Sequence, residues 1–222
     1  MMNNQSEPKA TPTAEADLLA DKMMNAVNVA AWDSTRWVKW NFADRNQYVW
    51  NKEKHLVQVT MGDNVVLLNP GDVSGMAYKN GKKIPPAESQ GLIKSAWDNF
   101  NNDSFWLNAI AKAKDPGTTR SIVELEDGQK GLKVQYTSGG TTPGDSYVWI
   151  LDENNRPTSY KMWVKIIPLG GMGATWEQYG PISTGALISR RHKLAHVNLD
   201  LKITDVAGGM NLSDIGLTED PF

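Results

Sequence analysis

From Arg36 onward, apolar residues recur at every second position. Val38, Trp40 and Phe42 share one face of a strand while Trp37, Lys39 and Asn41 share the other, and the alternation returns in Tyr48 with Trp50 and in Val57, Val59 and Met61. Turn residues at Asp44-Arg45, Lys52-Glu53, Gly62-Asp63-Asn64 and Asn80-Gly81 separate these runs, which predicts an antiparallel meander. Val65 to Leu68 is apolar on both faces, so that strand is expected to be covered from both sides. After Gly117 the period of two resumes in Val123 and Leu125, in Leu132, Val134 and Tyr136, in Tyr147, Trp149 and Leu151, and in Tyr160, Met162, Val164 and Ile166. The cleanest alternation comes last, with Val197, Leu199, Leu201 and Ile203 opposing His196, Asn198, Asp200 and Lys202 as in a half-buried strand.

Between and before the meanders the period is helical. Thr11 or Thr13 can cap a first helix, Pro12 suits its first turn, and Glu15 and Asp17 favour its positive end. Leu19, Met23, Ala26, Val27 and Ala30 form its apolar stripe, with an end expected near Ala31 to Asp33. Pro85 and Pro86 lead into a second helix striped by Leu92, Ile93, Ala96, Trp97 and Phe100. Asn102, Asp103 and Ser104 each carry a side-chain oxygen suited to free backbone N–H groups, so a further helix is expected to restart there. Phe105, Trp106, Leu107, Ile110 and Ala111 then supply too much apolar surface for a solvated linker. Asp115-Pro116-Gly117 stops that helix, because Pro116 disfavours helix at Asp115 and Gly117 tolerates positive φ. The whole reads as an α+β chain: a curved antiparallel β-sheet with helices plugging its open face. Residues 1–12 are expected to be a disordered lead-in or tether, 13–206 a single domain, and 207–222 a loosely ordered tail.

Composition narrows the function classes. The 222 residues suit one sizeable domain with a proper core, and a formal net charge of -2 with scattered basic residues leaves no electrostatic footprint for nucleic acid. Without cysteine there is no disulfide framework, thiol catalysis or cysteine-ligated zinc. No apolar run approaches the ~18 residues of a membrane span. The opening MMNNQSEPKATPTAEA lacks a basic n-region and an apolar h-region, and reads as the spacer that follows a removed signal or a lipidated cysteine. Nine tryptophans, at positions 32, 37, 40, 50, 97, 106, 149, 163 and 176, offer large rings with one polar atom, which suit a core, a ligand cavity or an interface.

Candidate chemistry is sparse. His192 and His196 are four apart, or ~13 Å along an extended chain, so neither a strand zinc pair nor a dyad follows, and His55 stands alone. Asp200 and Asp205 fall beside a polar strand face, where solvation accounts for Asp200. No HExxH, GxSxG, P-loop or EF-hand pattern occurs, and Gly170-Gly171-Met172-Gly173 lacks the strand-glycine-helix spacing of a phosphate cradle. Gly139 to Asp145 reads as a turn between strands. Arg190, Arg191 and Lys193 beside Leu187 and Ile188 read as an edge strand protected by charge, with peripheral attraction to acidic lipid head groups as the alternative.

Three motifs carry a family likeness: NDSFWL at Asn102 to Leu107, KDPG at Lys114 to Gly117, and TPGDSYVWILD at Thr142 to Asp152. With the order helix, meander, helix pair, meander, the stretch from Thr35 to Ile203 resembles the LolA/LolB-like lipoprotein-carrier half-barrel superfamily, and most nearly an uncharacterised Bacteroidetes envelope branch of it. The resemblance implies an incomplete barrel around plugging helices. It also implies a periplasmic or outer-membrane lipoprotein that binds a hydrophobic small molecule or lipidated protein. On that basis the inward-facing or plug residues Trp40, Phe42, Trp50, Trp97, Phe105, Trp106, Trp149 and Met162 are expected to line an apolar cavity, with no cofactor and no metal. The alternative is an envelope scaffold whose core is filled by its own side chains. An enzyme ranks third, because no acid, base and nucleophile can be named together.

Overall fold

The computed structural model describes residues 4–138, 144–165, 169–195 and 197–222. Helices α1 (Ala14–Ala26) and α2 (Val29–Ser34) precede β1 (Trp37–Phe42), β2 (Asn46–Asn51), β3 (Leu56–Met61), β4 (Asn64–Asn69), β5 (Ser74–Lys79) and β6 (Lys82–Lys83). Helix α3 (Pro86–Asn108) and a 3-10 turn (Ala109–Lys112) follow, then β7 (Thr118–Glu124), β8 (Lys130–Tyr136), β9 (Ser146–Leu151), β10 (Pro157–Trp163) and β11 (Met172–Thr175). The chain ends with β12 (Gly180–Pro181), β13 (Leu187–Ile188), β14 (Arg191–Leu194), β15 (Leu199–Gly209) and a 3-10 turn (Leu212–Ile215). Thirteen strands follow the order β6-β5-β4-β3-β2-β1-β15-β14-β11-β10-β9-β8-β7, and β12 pairs with β13 separately. The long order ends on two different strands, so this is the expected α+β fold with a large open antiparallel sheet.

Two compact units share the chain. The first comprises Met1–Val29, Asn108–Tyr179 and Arg191–Leu201, and the second Ala30–Leu107, Gly180–Arg190 and Lys202–Phe222. The segment expected to act as one plug is therefore divided, with 102–107 in the second unit and 108–117 in the first.

In the second unit the meander β1 to β6 obeys the alternation. Val38, Trp40, Phe42, Tyr48, Val59, Val66 and Ala77 are all nearly inaccessible, and the pairings Trp40–Tyr48, Tyr48–Val59, Val59–Val66 and Val66–Ala77 put them on one face. Asn80 and Gly81 close the β5–β6 hairpin with positive φ at both positions, the geometry a tight two-residue hairpin demands. Helix α3 lies on the aromatic face, bringing Phe100 to within 5.2 Å of the Trp50 ring and tying the Trp97 indole N–H to the carbonyl of Pro70 at 3.1 Å.

No helix restarts at Asn102 to Ser104, because α3 is continuous there. Each expected capping side chain is engaged elsewhere: Asp103 accepts from residues of β2, Asn102 donates to Asp103, and Ser104 donates back to the carbonyl of Asn101. A second correction concerns β4. Val66 and Leu68 are buried, whereas Val65 and Leu67 on the opposite face are only half-buried.

On that opposite face Trp37 and Val49 pack against Ile215 of the C-terminal segment, with Ala207, Leu212, Leu217 and Phe222 around them. Where a loose tail is expected, β15 runs on to Gly209. Asn211 and Asp214 then close a capping box, and Gly216 at φ 74 ends the 3-10 turn. The Phe222 ring stacks on Trp37 at 6.1 Å.

In the first unit α1 starts at Thr13, whose hydroxyl accepts from the Ala16 N–H at 3.2 Å, and buries Ala16, Ala20 and Met23. The single helix expected to run to Ala31–Asp33 is instead interrupted at Asn28, which takes φ 54. Strands β7 to β11 and β14 form this unit's part of the sheet. Residues ahead of α1 lie along it: Glu7 pairs with Lys133 at 2.7 Å and accepts from Ser146, and Gln5 accepts from the Trp163 indole at 2.9 Å. Gly117 has φ 81, as the stop signal requires. Of the final alternating run, Leu201 and Ile203 are buried while Val197 and Leu199 are exposed; β15 begins only at Leu199, so Val197 precedes the strand. His196, Ile166 and residues 139–143 of the expected turn lie outside the described residues.

Candidate functional site in the aromatic sheet faces

Six of the eight expected lining residues belong to the second unit. Trp40, fully buried, stacks on Tyr48 at 4.4 Å with an interplanar angle of 15°. Phe100 of α3 inserts beside both, at 6.3 Å from each ring, and meets Trp50 edge to face. Trp32 also meets Trp50 edge to face, with ring centroids 6.1 Å apart. Phe42 is buried on the same strand face as Trp40, while Trp50, Trp97 and Phe105 keep part of their surface in solvent and Trp106 is 9% exposed. The indole N–H of Trp40 is buried and has no acceptor among the described residues. Burying such a donor unpaired costs free energy.

The polar atoms on this face converge on Asp103. One carboxylate oxygen accepts from the Tyr48 hydroxyl at 2.5 Å and from the Asn46 amide at 2.9 Å, and the other from the Asn102 amide at 2.8 Å. Only 2% of Asp103 is exposed, and burial raises its pKa above the usual carboxylate value even though the three donors pull the other way. Burial, reinforced by the neighbouring carboxylate, also keeps the Tyr48 phenol protonated. At the rim Lys52 donates to the carbonyl of Trp32 and sits 4.4 Å from the Trp32 ring centroid and 5.8 Å from that of Trp50. Burial lowers its pKa to about 8, opposed by the charge of Asp33.

The remaining two expected residues, Trp149 and Met162, lie in the first unit on a sheet face of its own. The register Leu132–Trp149, Val134–Tyr147, Trp149–Tyr160 and Tyr147–Met162 places them together. A chain of rings runs along this face: Tyr136 to Tyr147 at 5.8 Å, Tyr147 to Tyr160 at 5.2 Å, Tyr160 to Trp149 at 5.1 Å, Trp149 to Trp176 at 5.0 Å and Trp176 to His192 at 4.5 Å. His192 is wholly buried, and its Nδ1 lies 3.0 Å from the carbonyl of Thr175, so Nδ1 carries the hydrogen. Sequence reasoning missed Tyr160, Trp176 and His192 as members of one cluster. Tyr160 was legible as a strand face, but Trp176 and His192 stand at the ends of short strands with no periodicity of their own.

The expected basic cluster disperses its charge. Arg191 makes a forked contact with Asp200 at 2.7 to 3.2 Å, Lys193 pairs with Glu177 at 3.1 Å, and Arg190 reaches the carbonyl of Pro181 at 3.4 Å. Asp200 thus holds a guanidinium. Among the described residues no group of three or more His, Cys, Asp or Glu side chains could hold a metal ion, and no helix is long and apolar enough to cross a membrane.

No protein-family model and no curated protein matches the chain. Among solved structures it is similar to a DUF1329 family protein from Desulfovibrio piger, at 12% identity over 93% of this chain and 96% of that one, with a TM-score of 0.45. It is also similar to a structure from Vibrio parahaemolyticus described as an outer membrane lipoprotein-sorting protein domain, at 13% identity over 89% of this chain and 97% of that one, with a TM-score of 0.39. At these scores neither likeness carries an argument about what this chain binds.

Proposed function

We propose that the protein is a non-catalytic binding protein of the bacterial envelope that holds a hydrophobic ligand, an acyl chain or a lipidated peptide, against its aromatic sheet faces. Trp40, Phe42, Trp50, Trp97, Phe105 and Trp106 line the face of one unit, and Trp149 and Met162 belong to the separate face of the other. One observation carries the reading: the Trp40 N–H is buried among aromatic rings without an acceptor among the described residues, and an ester or carboxylate oxygen at the head of an acyl chain supplies one. The shifted groups of this unit favour binding over chemistry, since Asp103 is held by three donors and Lys52 by a carbonyl and two indoles. The envelope setting rests on the likeness of the NDSFWL, KDPG and TPGDSYVWILD motifs.

A scaffold without a ligand is favoured by a different observation, the direct stacking of Trp40 on Tyr48 with Phe100 against both, in which protein rings fill the face themselves. Mass spectrometry of lipids extracted from the purified protein, with titration of the delipidated protein by fatty acids, separates the two. The binding reading expects retained acyl lipid and a change in indole emission. It also expects Trp40→Phe to weaken a fatty acid by about tenfold, the loss of one hydrogen bond to a charged group. No retained lipid and unchanged emission would leave the scaffold.

A further inference from the structure

In the first unit the sheet face opposite the aromatic rings carries Lys133 of β8, Ser146 and Val148 of β9, and Lys161 and Trp163 of β10. Residues 4–8 lie across it as an extended strap: Gln5 and Glu7 are half-buried while Asn4 and Ser6 are exposed, the period of two of an extended chain. Its contacts are polar. The Gln5 N–H donates to the carbonyl of Gly170 at 3.0 Å, the Gln5 carbonyl accepts from the Trp163 indole at 2.9 Å, and Asn4 Oδ1 accepts from the Gly170 N–H at 2.8 Å. Lys133 donates to the Pro8 carbonyl at 2.8 Å and pairs at 2.7 Å with Glu7 Oε1, the oxygen that also accepts from the Ser146 hydroxyl at 2.8 Å. Lys133 is only 6% exposed, and among the described residues Glu7 is the one carboxylate paired with it. Bare backbone makes room for the strap. A β-carbon at Gly170 would lie 2.5 Å from the Gln5 carbonyl oxygen, and one at Gly171 would lie 2.7 Å from the Gln5 β-carbon. This pair of glycines, which does not form a phosphate cradle, thus admits a peptide backbone.

We propose that the groove formed by Lys133, Ser146, Trp163 and Gly170 is a recognition site for an extended peptide segment bearing a carboxylate, which residues 4–8 of this chain occupy in cis. A strap that served only to cover the sheet would bury apolar side chains, yet this one consists of Asn, Gln, Ser, Glu and Pro. What it satisfies instead is a nearly buried ammonium, an indole N–H and the backbone of a glycine. A buried cation is costly unless paired, so any segment that fills the groove has to bring a carboxylate to Lys133. The contacts to Gly170 and Trp163 involve the backbone of Gln5 and suit many sequences, so selectivity comes from the carboxylate pocket. Residues 9–13 are all exposed, which lets the strap lift while α1 stays in place. The start of that helix is fixed by Thr13, whose hydroxyl accepts from the Ala16 N–H and whose own N–H donates to the carbonyl of Arg120. A segment tethered so closely acts at an effective concentration of about 1 mM, enough to shut out free peptide at micromolar levels. The inference is independent of the ligand reading, because the groove lies on the sheet face opposite Trp149 and Met162.

The test is fluorescence anisotropy with a labelled peptide of residues 4–11, NQSEPKAT, titrated with full-length chains. In the Glu7→Lys chain the strap meets Lys133 with a like charge and is expelled, so this chain should bind the peptide about tenfold or more tightly than the parent does. The same peptide carrying Glu7→Gln should bind the opened chain about tenfold more weakly, and adding Lys133→Met to that chain should weaken the original peptide to a similar extent. Lys161→Met serves as the control, since Lys161 shares the face but pairs with Asp127, and it should change binding little. Thermal melting shows that the variants are folded, and the milder Glu7→Gln chain should give the same order with a smaller gain. No binding to either opened chain, or equal binding of the two peptides, would overturn the proposal. A parent dimer that grows with concentration and is lost in Glu7→Lys would overturn it too, and would assign the groove to the strap of a second copy.

Discussion

A carboxylate can end up far from the task its position along the chain suggests, and Asp103 is the case in this protein. Its oxygens take three hydrogen bonds, two of them from β2, in a place where water cannot substitute. Asp103→Ala would leave the buried Tyr48 hydroxyl unpaired and the half-buried Asn46 amide without its acceptor, so we expect a loss of about 2 to 3 kcal/mol in urea unfolding. The pH dependence has a definite sign. Burial raises the folded-state pKa above that of the unfolded chain, so the stability this group contributes is fully present below the unfolded pKa and is lost as pH rises through the folded value. Asp103→Asn, which keeps an acceptor and has no charge to lose, should flatten that part of the stability curve. A different residue-scale constraint operates at Gly117, where φ is 81 and a β-carbon would collide with the Ser138 hydroxyl. Gly117→Val should destabilise by about 1 to 3 kcal/mol from backbone strain, with the collision adding to it. A variant that melts within a degree of the parent would show that the turn relaxes.

At the scale of elements, the C-terminal segment is stapled to the sheet rather than left loose. Ile215 is 1% exposed and Phe222 stacks on Trp37, so ending the chain after Gly209 uncovers Trp37 and Val49. Full burial of one isoleucine and one ring-on-ring contact suggest a cost of about 2 to 4 kcal/mol, checked by the urea midpoint of the truncated protein. That segment also shows what local pattern can and cannot reveal. The strands β1 to β3 were legible because one buried face on a pleated sheet imposes a period of two, and Val38, Trp40 and Phe42 obey it. The segment 210–222 has no such period: its order comes from a capping box and from the scattered side chains Leu212, Ile215, Leu217 and Phe222 that meet distant strands. Asn102, Asp103 and Ser104 misled for the related reason that side-chain oxygens announce a capacity to accept hydrogen bonds but not the donor they find. Asn28 interrupts the first helix without any flanking glycine or proline to announce it. The half-exposed Val65 and Leu67 broke the expectation that apolar residues on both faces mean cover on both.

At the scale of the whole molecule, the candidate site was legible as residue types and only partly as a grouping. Alternation placed Trp40 with Phe42 and put Trp149 and Met162 each on an apolar strand face, but the register that joins those two strands, and the division into two units each with its own aromatic face, follow from long-range pairing that no local pattern encodes. A ligand held on such a face should show the arithmetic of the apolar surface. Each methylene removed from water contributes about 0.8 kcal/mol before ordering costs, so lengthening a fatty acid by two carbons should tighten binding by up to about tenfold until the face is filled. Because Trp106 keeps only 9% of its surface exposed, Trp106→Ala should weaken that binding by removing ring contact along the chain. Trp37→Ala serves as the comparison: Trp37 packs with Val49 and Ile215 on the opposite face, so it should lower stability while leaving the affinity of the folded fraction nearly unchanged. Titrations that follow indole emission across chain lengths read both effects. An affinity that does not grow with chain length, or that falls equally in the two variants, would mean that the aromatic face does not hold the chain.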